Sequence, residues 1–275
     1  MRGVNVSYFF YAMLLIFSIN IVYAFDENDL KKLLISRECI NCDLSNADLS
    51  GAYLDQAQLM NSNLRGATLK NVKMANANLS NVVLSGADLS NADMPSTLLD
   101  NSRIDDAILI NTNLTSSVIN NASFRNSNLS SAILHGAQME FSVFDNAQLI
   151  KADIRRANLT NTSFKNADLS EARLTLSLFE SSNLDGAKLV KAKIRNVNFS
   201  NSILENSDLS FSSLRRSIFF KAKLKGCIMK NVNLFKANFT QADLSHLTEL
   251  DPRLSTAILC KTIMKDKISN RDCKN

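Results

Sequence analysis

The chain has 275 residues, with 31 basic and 26 acidic side chains, a formal net charge of +5, five cysteines and two histidines. The positive net charge excludes a strongly acidic protein, and two histidines leave few candidates for catalytic or metal-binding chemistry. One short repeat takes up about three quarters of the chain, so we expect a single continuous domain that grows along an axis.

The first 24 residues have the composition of an export signal. Arg2 supplies a positive charge, residues 8–23 are almost wholly apolar, and acidic residues follow Ala24. We therefore predict a signal peptide at residues 1–24 that is cleaved after Ala24. The alternative is a membrane anchor formed by residues 6–25, since the apolar run approaches the roughly 20 residues that span a bilayer. Either interpretation places the rest of the chain outside the cytoplasm, in a periplasm, in a lumen or secreted.

Residues 25–42 are predicted to form an N-terminal cap. Between Asp29 and Arg37, Leu30, Leu33 and Leu34 recur at helical spacing, which predicts a short helix over the start of the repeat. Such a cover is needed because the open end of a solenoid exposes strand edges to other chains.

A repeat of five residues runs from Leu44 to Leu244 without a change of register. Every fifth residue is large and apolar, and the residue two places before it is Ala, Ser, Thr, Val or Cys in all 41 pentads. A period of five fits neither a helix nor a flat strand but is typical of a solenoid. Because both residues point into one narrow lumen, one must be small where the other is large.

The other three positions of the pentad are predicted to lie at the surface. The two neighbours of the large residue are mostly polar and are expected to face solvent. The fifth position holds six glycines and seventeen asparagines, which tolerate a positive φ, so we expect a corner there. Pro95 lies at an outward position and is predicted to mark a local irregularity.

Four sides of five residues give a coil of 20 residues, and the phenylalanines support this length. Seven of them occupy large positions and form two series with a spacing of 20: Phe124, Phe144 and Phe164, then Phe179, Phe199, Phe219 and Phe239. We therefore expect their rings to stack along the axis.

The pentads at residues 47–51 (ADLSG) and 87–91 (ADLSN) resemble the A-(D/N)-L-x-x signature of pentapeptide-repeat proteins. The resemblance covers Leu44 to Leu244. It implies an all-β fold, a right-handed quadrilateral parallel β-helix solenoid of about ten coils, here at residues 43–246. The segments at 39–44 and 260–264 resemble the entry and closing segments of exported members, although residues 265–267 (KDK) replace the family's Pro-Asp-Gly turn.

The repeat ends in an irregular segment, residues 247–275, which is predicted to form the C-terminal cap. The register fails at Glu249 and returns with Leu254 and Leu259, while Pro252 interrupts the ladder between them.

The cysteines form one pair at each end of the repeat. Ten coils at about 4.8 Å each separate the ends by roughly 50 Å, far beyond disulfide reach. We therefore predict the disulfides Cys39–Cys42 and Cys260–Cys273, and a buried free thiol at Cys227, which occupies a small inward position. The alternative for the first pair is a redox or metal motif, although no second CxxC and no nearby histidine accompanies it.

The sequence contains no recognisable catalytic constellation, and no cofactor or metal is expected. His135 lies at an outward position and His246 in the exit segment, and the standard nucleophile, phosphate-loop and zinc-protease motifs are absent. An enzyme with a site in the tail would have only Asp266, Asp272 and His246 to use.

Charge is distributed unevenly along the repeat. Residues 43–120 contain eight acidic and four basic residues, a net of −4, whereas residues 188–236 contain eleven basic and two acidic residues, a net of +9. Several bases are predicted to share one side of the later coils, and we call this set the basic strip: Arg155, Arg156, Arg173, Lys193, Arg195, Arg215, Arg216 and Lys236. The strip is either a solvated face or a docking site for an anionic lipid surface, an acidic glycan or an acidic protein.

Five apolar residues also occupy outward or corner positions: Phe141, Leu176, Phe211, Phe220 and Phe235. They are either scattered exposed residues or a docking or self-association patch. Bases near aromatic rings could suit single-stranded nucleic acid, but export argues against that partner.

Two hypotheses for function follow. The first is a non-enzymatic exported scaffold that binds an unidentified partner by shape and charge. The second comes from the resemblance, since some pentapeptide-repeat proteins imitate DNA and protect gyrase from its inhibitors. A DNA imitator should be strongly acidic and cytoplasmic, and this chain is predicted to be neither.

Overall fold

The computed structural model describes residues 25–247 and 252–273. The predicted signal segment, the alternative anchor up to residue 24, and Glu249 lie outside these ranges. Within them, no helix is long and apolar enough to cross a bilayer.

Helix α1 (Glu27–Ser36) precedes the repeat and begins two residues before the predicted helix. Its start is capped by Asp26, whose carboxylate accepts the N–H of Asn28 at 2.8 Å. It ends at Arg37, which takes a left-handed conformation (φ 58°) and donates its N–H to the carbonyl of Leu33.

One side of α1 contacts the first coil. Leu33 is fully buried and Leu30 packs against the core, whereas Leu34 is 54% exposed and contributes little to that contact. The carboxylate of Asp29 accepts the N–H of Asp43 at 2.9 Å. The helix and its capping residue are thus joined to the first coil by the apolar contacts of Leu30 and Leu33, by this charge-assisted hydrogen bond, and by the Asp26 N–H, which donates to the carbonyl of Asp43 at 3.1 Å.

The repeat forms a four-sided solenoid in which residues 20 apart pair in parallel. Asp43 pairs with Asn63, and the same spacing reaches Asp243 and Ile263 near the other end. Each bridge lies directly before a large apolar residue, so one coil has four paired faces. We name the first, second, third and fourth faces after the large residues of the first coil: Leu44, Leu49, Leu54 and Leu59.

The interior follows the predicted pattern. All 41 large residues from Leu44 to Leu244 are at most 6% exposed. The small residues two places before them are also buried, with the exception of half-buried Ala52. Most buried hydroxyls bond to backbone carbonyls, as Ser127 does to Phe124 at 2.6 Å, so they carry little desolvation cost, whereas the buried hydroxyl of Ser212 has no partner among the described residues.

The predicted stacking of the phenylalanines is confirmed. Phe124, Phe144 and Phe164 have centroids 4.8 Å apart and nearly parallel planes. The second series continues from Phe179 with spacings of 5.2, 5.1 and 4.8 Å, and its first pair is tilted by 32° whereas the other two pairs are stacked. The two series also meet, because the rings of Phe164 and Phe179 are 5.6 Å apart. Seven rings therefore form one continuous column that passes from the first face to the fourth.

Asp and Asn are common before the large residue because their side chains satisfy a backbone group. The N–H two residues on has no partner in the neighbouring coil, and the side chain accepts it, as Asp48 does for Ser50 at 2.9 Å. The hydrogen bonds from Ser50 lower the pKa of Asp48. The same arrangement joins Asn78 to Ser80.

The corners have the predicted positive φ, including all six glycines and all seventeen asparagines. Corner asparagines also contact one another, as when Asn111 donates to Asn91 at 3.1 Å. The irregularity predicted at Pro95 is wrong, because the bridges on both sides of it keep their spacing. Pro95 follows a large residue, where the N–H makes no bond to a backbone carbonyl of the neighbouring coil, so the missing donor leaves the ladder intact.

The chain pairs with the last coil again after the break in register. Residues Pro252–Thr256 form a 3₁₀ helix, and Ile258 then pairs with Asn238. Strand β1 (Thr262–Ile263) turns back into the antiparallel strand β2 (Ile268–Ser269), closed by the Met264 N–H bond to the carbonyl of Lys267. The KDK segment therefore forms a tight hairpin in place of the family's usual turn.

Both predicted disulfides, Cys39–Cys42 and Cys260–Cys273, are present, and Cys227 is a buried free thiol. Burial raises the pKa of Cys227 to about 12, although the Ser207 hydroxyl bonds to its sulfur. We expect iodoacetamide not to modify Cys227 in the folded protein at roughly pH 8, because thiolate is the reactive form.

Unfolding without reductant should release one reactive thiol, which intact-mass spectrometry would count as a single adduct. Three or more adducts would contradict the disulfide pairing, and an adduct on the folded protein would contradict the burial of Cys227.

Candidate functional site

The basic strip lies on the third face and at the corner that follows it. The bridges Asp153–Arg173 and Arg173–Lys193 place successive members above one another. Within the strip, the residues before the large positions are Arg173 and Lys193, those after them are Arg155, Arg195 and Arg215, and those at the corner are Arg156, Arg216 and Lys236. The structure therefore places the predicted residues on one side of the solenoid.

The beginning of the strip is partly neutralised by Asp153. Its carboxylate is 2.6 Å from the guanidinium of Arg155 and 3.5 Å from that of Arg173. Burial tends to raise the pKa of Asp153, but the hydrogen bonds and charges of the two arginines outweigh it and lower the pKa. Because Asp153 stays ionised, this part of the strip presents less free charge than the sequence suggests.

Arg156 forms no ion pair with the described carboxylates either, and it lies at the corner beside this first part of the strip. The later part, which we call the distal strip, consists of Lys193, Arg195, Arg215, Arg216 and Lys236. None of these five side chains forms an ion pair with a carboxylate of residues 25–247 or 252–273. They lie in three successive coils of one face, so like charges are repeated at spacings of about 4.8 Å. Such an arrangement produces a positive potential that attracts anions.

A cleft of about 440 Å³ opens at the C-terminal end of the distal strip. Its lining combines cations, polar groups and apolar side chains: Arg215, Asn233, Leu234, Phe235, Arg253 and Thr256. The Phe235 ring holds two cations, since the guanidinium of Arg215 is 5.3 Å and the ammonium of Lys236 is 5.5 Å from its centroid. Cation–π contacts of this kind restrict where the two charges lie.

The backbone around the cleft is fixed by ordinary bonds of the repeat. Asn233 accepts the N–H of Phe235 at 3.2 Å, and the N–H of Lys236 donates to the carbonyl of Thr256 at 2.9 Å. Arg253 donates to the side chain of Asn231 at 3.0 Å. The 3₁₀ helix thus forms one wall of the cleft and the last complete coil forms the other.

The five outward apolar residues are not brought together. Phe141, Leu176 and Phe211 occupy three different corners, while Phe220 lies on the fourth face and Phe235 on the third. Phe220 contacts the ammonium of Lys221 at 5.1 Å but no second cation. Leu176 shares the corner of Arg156 and Arg216 but lies one coil before the distal strip, so Phe235 is the member of this set that lies beside the distal strip.

The candidates for a catalytic site in the tail have structural roles. Asp272 accepts the N–H of Leu259 at 2.8 Å and pairs with Arg271 at 2.9 Å. The hydrogen bond from Arg271, followed by that from Leu259, lowers the pKa of Asp272. His246 bonds to Ser245 at 2.6 Å. In the part of the chain that the structure describes, no hydrogen bond or ion pair links Asp266, Asp272 and His246.

Asp29, Cys39 and Cys42 form a group of potential metal ligands within 4.8 Å of one another. The two sulfur atoms are joined in a disulfide, and a metal would need them as thiolates. The metal interpretation of the CxxC segment is therefore not supported in this state.

Two components of the site are missing from the sequence-based strip. Asp153 could have been found, since it stands two residues before Arg155 and one coil before Arg173. Arg253 and Thr256 could not, because they follow the break in register and their distance from the third face is set by the 3₁₀ helix.

Comparison with solved structures gives several similar proteins. HetL, a pentapeptide repeat protein involved in heterocyst differentiation regulation from the cyanobacterium Nostoc sp. strain PCC 7120, is 25% identical, with 84% of this chain and 89% of that chain covered and a TM-score of 0.46. QnrB1, a plasmid-mediated fluoroquinolone resistance protein, is 20% identical, with 64% and 88% covered and a TM-score of 0.37. A pentapeptide repeat protein of the Arabidopsis thaliana thylakoid lumen is 22% identical, with 50% and 85% covered and a TM-score of 0.16.

No curated protein matches the chain significantly. The family model for pentapeptide repeats matches in 8 copies, over residues 38–74, 62–101, 107–140, 142–180, 182–219 and 219–246. These segments cover most of the chain and coincide with the four-sided solenoid. The chain therefore belongs to the pentapeptide-repeat family, whose members fold as right-handed quadrilateral β-helices.

Proposed function

We propose that this protein is a non-enzymatic, exported scaffold that binds an anionic partner through the distal strip. The observation that carries the proposal is the set of five cations, Lys193 to Lys236, without a carboxylate partner among the described residues. Pentapeptide-repeat proteins are in general scaffolds or binding proteins. A flat, rigid face with like charges in register is suited to binding by charge complementarity rather than to catalysis.

Export is part of the same proposal. It is supported by the composition of residues 1–24 and by the two disulfides, which persist in oxidising compartments. On this view the scaffold has about ten coils, with α1 covering the first and the segment after Pro252 closing the last. The partner is then an acidic protein, an acidic glycan or an anionic lipid surface met outside the cytoplasm.

The proposal is tested by elution from a heparin column, which offers a repeating polyanion. We expect Arg195→Gln plus Arg215→Gln to elute at a clearly lower salt concentration than the wild type, because two charges of the distal strip are lost. Lys225→Gln plus Lys230→Gln removes the same charge from the first and second faces and serves as the control. Equal shifts for both pairs would mean that only net charge matters, and the proposed binding face would be wrong.

A further inference from the structure

The cleft beside Phe235 differs from the rest of the basic face in shape and in composition. It is an open, shallow depression, it contains an aromatic ring, and the centroid of that ring is 5.3 Å from the guanidinium of Arg215 and 5.5 Å from the ammonium of Lys236. Elsewhere on the distal strip the cations extend from a flat sheet. Charge alone would attract an anion anywhere on this face, whereas the cleft provides fixed donors around a limited volume.

The polar groups of the cleft are mainly donors. Arg215 and Lys236 can only donate, and the Oδ1 of Asn233 already accepts from Phe235, which leaves its amide nitrogen as a further donor. Thr256 donates its hydroxyl proton to the carbonyl of Arg253 at 2.7 Å, so its oxygen is one acceptor among these donors. A ligand that fits must therefore bring acceptors, and a carboxylate brings two acceptor oxygens that suit a guanidinium.

The apolar part of the cleft further limits the class of ligand that fits. Phe235 is 40% exposed, and its ring is in contact with two cations, Arg215 and Lys236. Insertion into a lipid surface favours several apolar side chains that project from a charged face, whereas Phe235 is the one aromatic side chain among the described residues that line this cleft. A polyglutamate segment would bring the same carboxylates but no rigid apolar ring face to pack on Phe235, so it would use less of the cleft.

We infer that the cleft binds one carboxylated sugar ring of a linear acidic glycan whose following carboxylates lie along the distal strip. The carboxylate contacts Arg215 and Lys236, the ring oxygens accept from Asn233, and the C–H face of the sugar packs on the exposed part of Phe235. This inference rests on the proposed function and names the class of partner for the same face.

The test is a calorimetric titration of the purified protein with hexagalacturonate, with its fully methyl-esterified form as the uncharged probe. We expect binding of the acid and none of the ester. Phe235→Leu should weaken binding by about tenfold, because the two cations lose the ring that positions them, although no charge is changed. Phe220→Leu is the matched control, since Phe220 holds the same position in its pentad and also contacts a lysine.

The outcomes separate this inference from the proposed function. If Phe235→Leu and the wild type bind the acid equally while the heparin test still depends on Arg195 and Arg215, the strip binds by charge alone and the cleft inference is wrong. If polyglutamate or vesicles containing phosphatidylglycerol bind more tightly than the uronate and depend on Phe235, the cleft is real but the glycan assignment is wrong. If heparin elution does not depend on the strip, the proposed function itself fails. Circular dichroism should show that each variant is folded.

Discussion

Phe144→Ala is expected to lower the free energy of unfolding by about 3–5 kcal/mol, as truncation of a buried aromatic residue typically does. The Phe144 side chain is fully buried, and its ring is stacked at 4.8 Å on both Phe124 and Phe164. The substitution removes the Phe144 ring, and with it the stacking contacts to both neighbouring rings. It leaves a cavity that the coils above and below cannot fill. The shift in the midpoint of guanidinium unfolding, monitored by circular dichroism, measures the effect.

The chain contains a close control for this substitution. Phe141 lies three residues earlier at a corner and is 57% exposed, so Phe141→Ala should change the free energy of unfolding by no more than about 0.5 kcal/mol. The two substitutions remove the same atoms at positions three residues apart. They differ in that the side chain of Phe144 points into the lumen and that of Phe141 lies at an exposed corner. Similar losses at both positions would contradict the assignment of inward and corner positions on which the whole fold depends.

Most of the solenoid could be predicted because each position of the pentad has its own physical requirement. The lumen accepts one large and one small residue per side, so the side chains of Leu159 and Ala157 are both predicted to point inward. The corner needs a positive φ, so Gly186 and Asn161 are predicted to occupy corners. Since these requirements recur every five residues, the register could be followed without structural information from Leu44 to Leu244.

Predictions that depended on one position rather than on the repeat were less reliable. A local irregularity was expected at Pro95 because proline lacks a backbone donor, but at that position the N–H makes no bond to a backbone carbonyl of the neighbouring coil. Leu34 looked buried because it has helical spacing from Leu30, yet α1 contacts the coil through a narrow side only. In each case the outcome was decided by contacts that the five-residue pattern does not contain.

In the candidate site too, the features that follow from the repeat could be predicted, and those that depend on single positions could not. The alignment of Arg173 and Lys193 followed directly from the 20-residue coil. The 20-residue spacing could also have predicted the pairing of Asp153 with its two arginines. A count of basic residues alone does not include this carboxylate. The cleft depends on where the chain goes after Pro252, and no repeat specifies that path.

Removal of the C-terminal disulfide by Cys260→Ala plus Cys273→Ala is expected to destabilise only the last coils. The closed loop of about 14 residues contributes roughly 3 kcal/mol in the chain-entropy estimate. In a solenoid each coil contacts only its neighbours, so this loss should open the end locally rather than unfold the whole chain. Amide hydrogen exchange measures it residue by residue.

The amides that should lose protection are those that bond to the closing segment. Gln241 donates to the carbonyl of Cys260 and Leu244 to that of Ile263, and their exchange should accelerate by about 100-fold. Leu64, which donates to Val83 near the other end, should be unaffected.

The variant Cys39→Ala plus Cys42→Ala tests the reverse case at the N-terminal end. Its shorter loop should contribute less, about 2 kcal/mol, and exchange should accelerate at Leu44, whose N–H bonds to Asn63, but not at Gln241. A solenoid held together by nearest-neighbour contacts requires that each disulfide protect its own end. Uniform acceleration along the chain in either variant would show that the coils unfold as one unit, and the nearest-neighbour description would then be wrong.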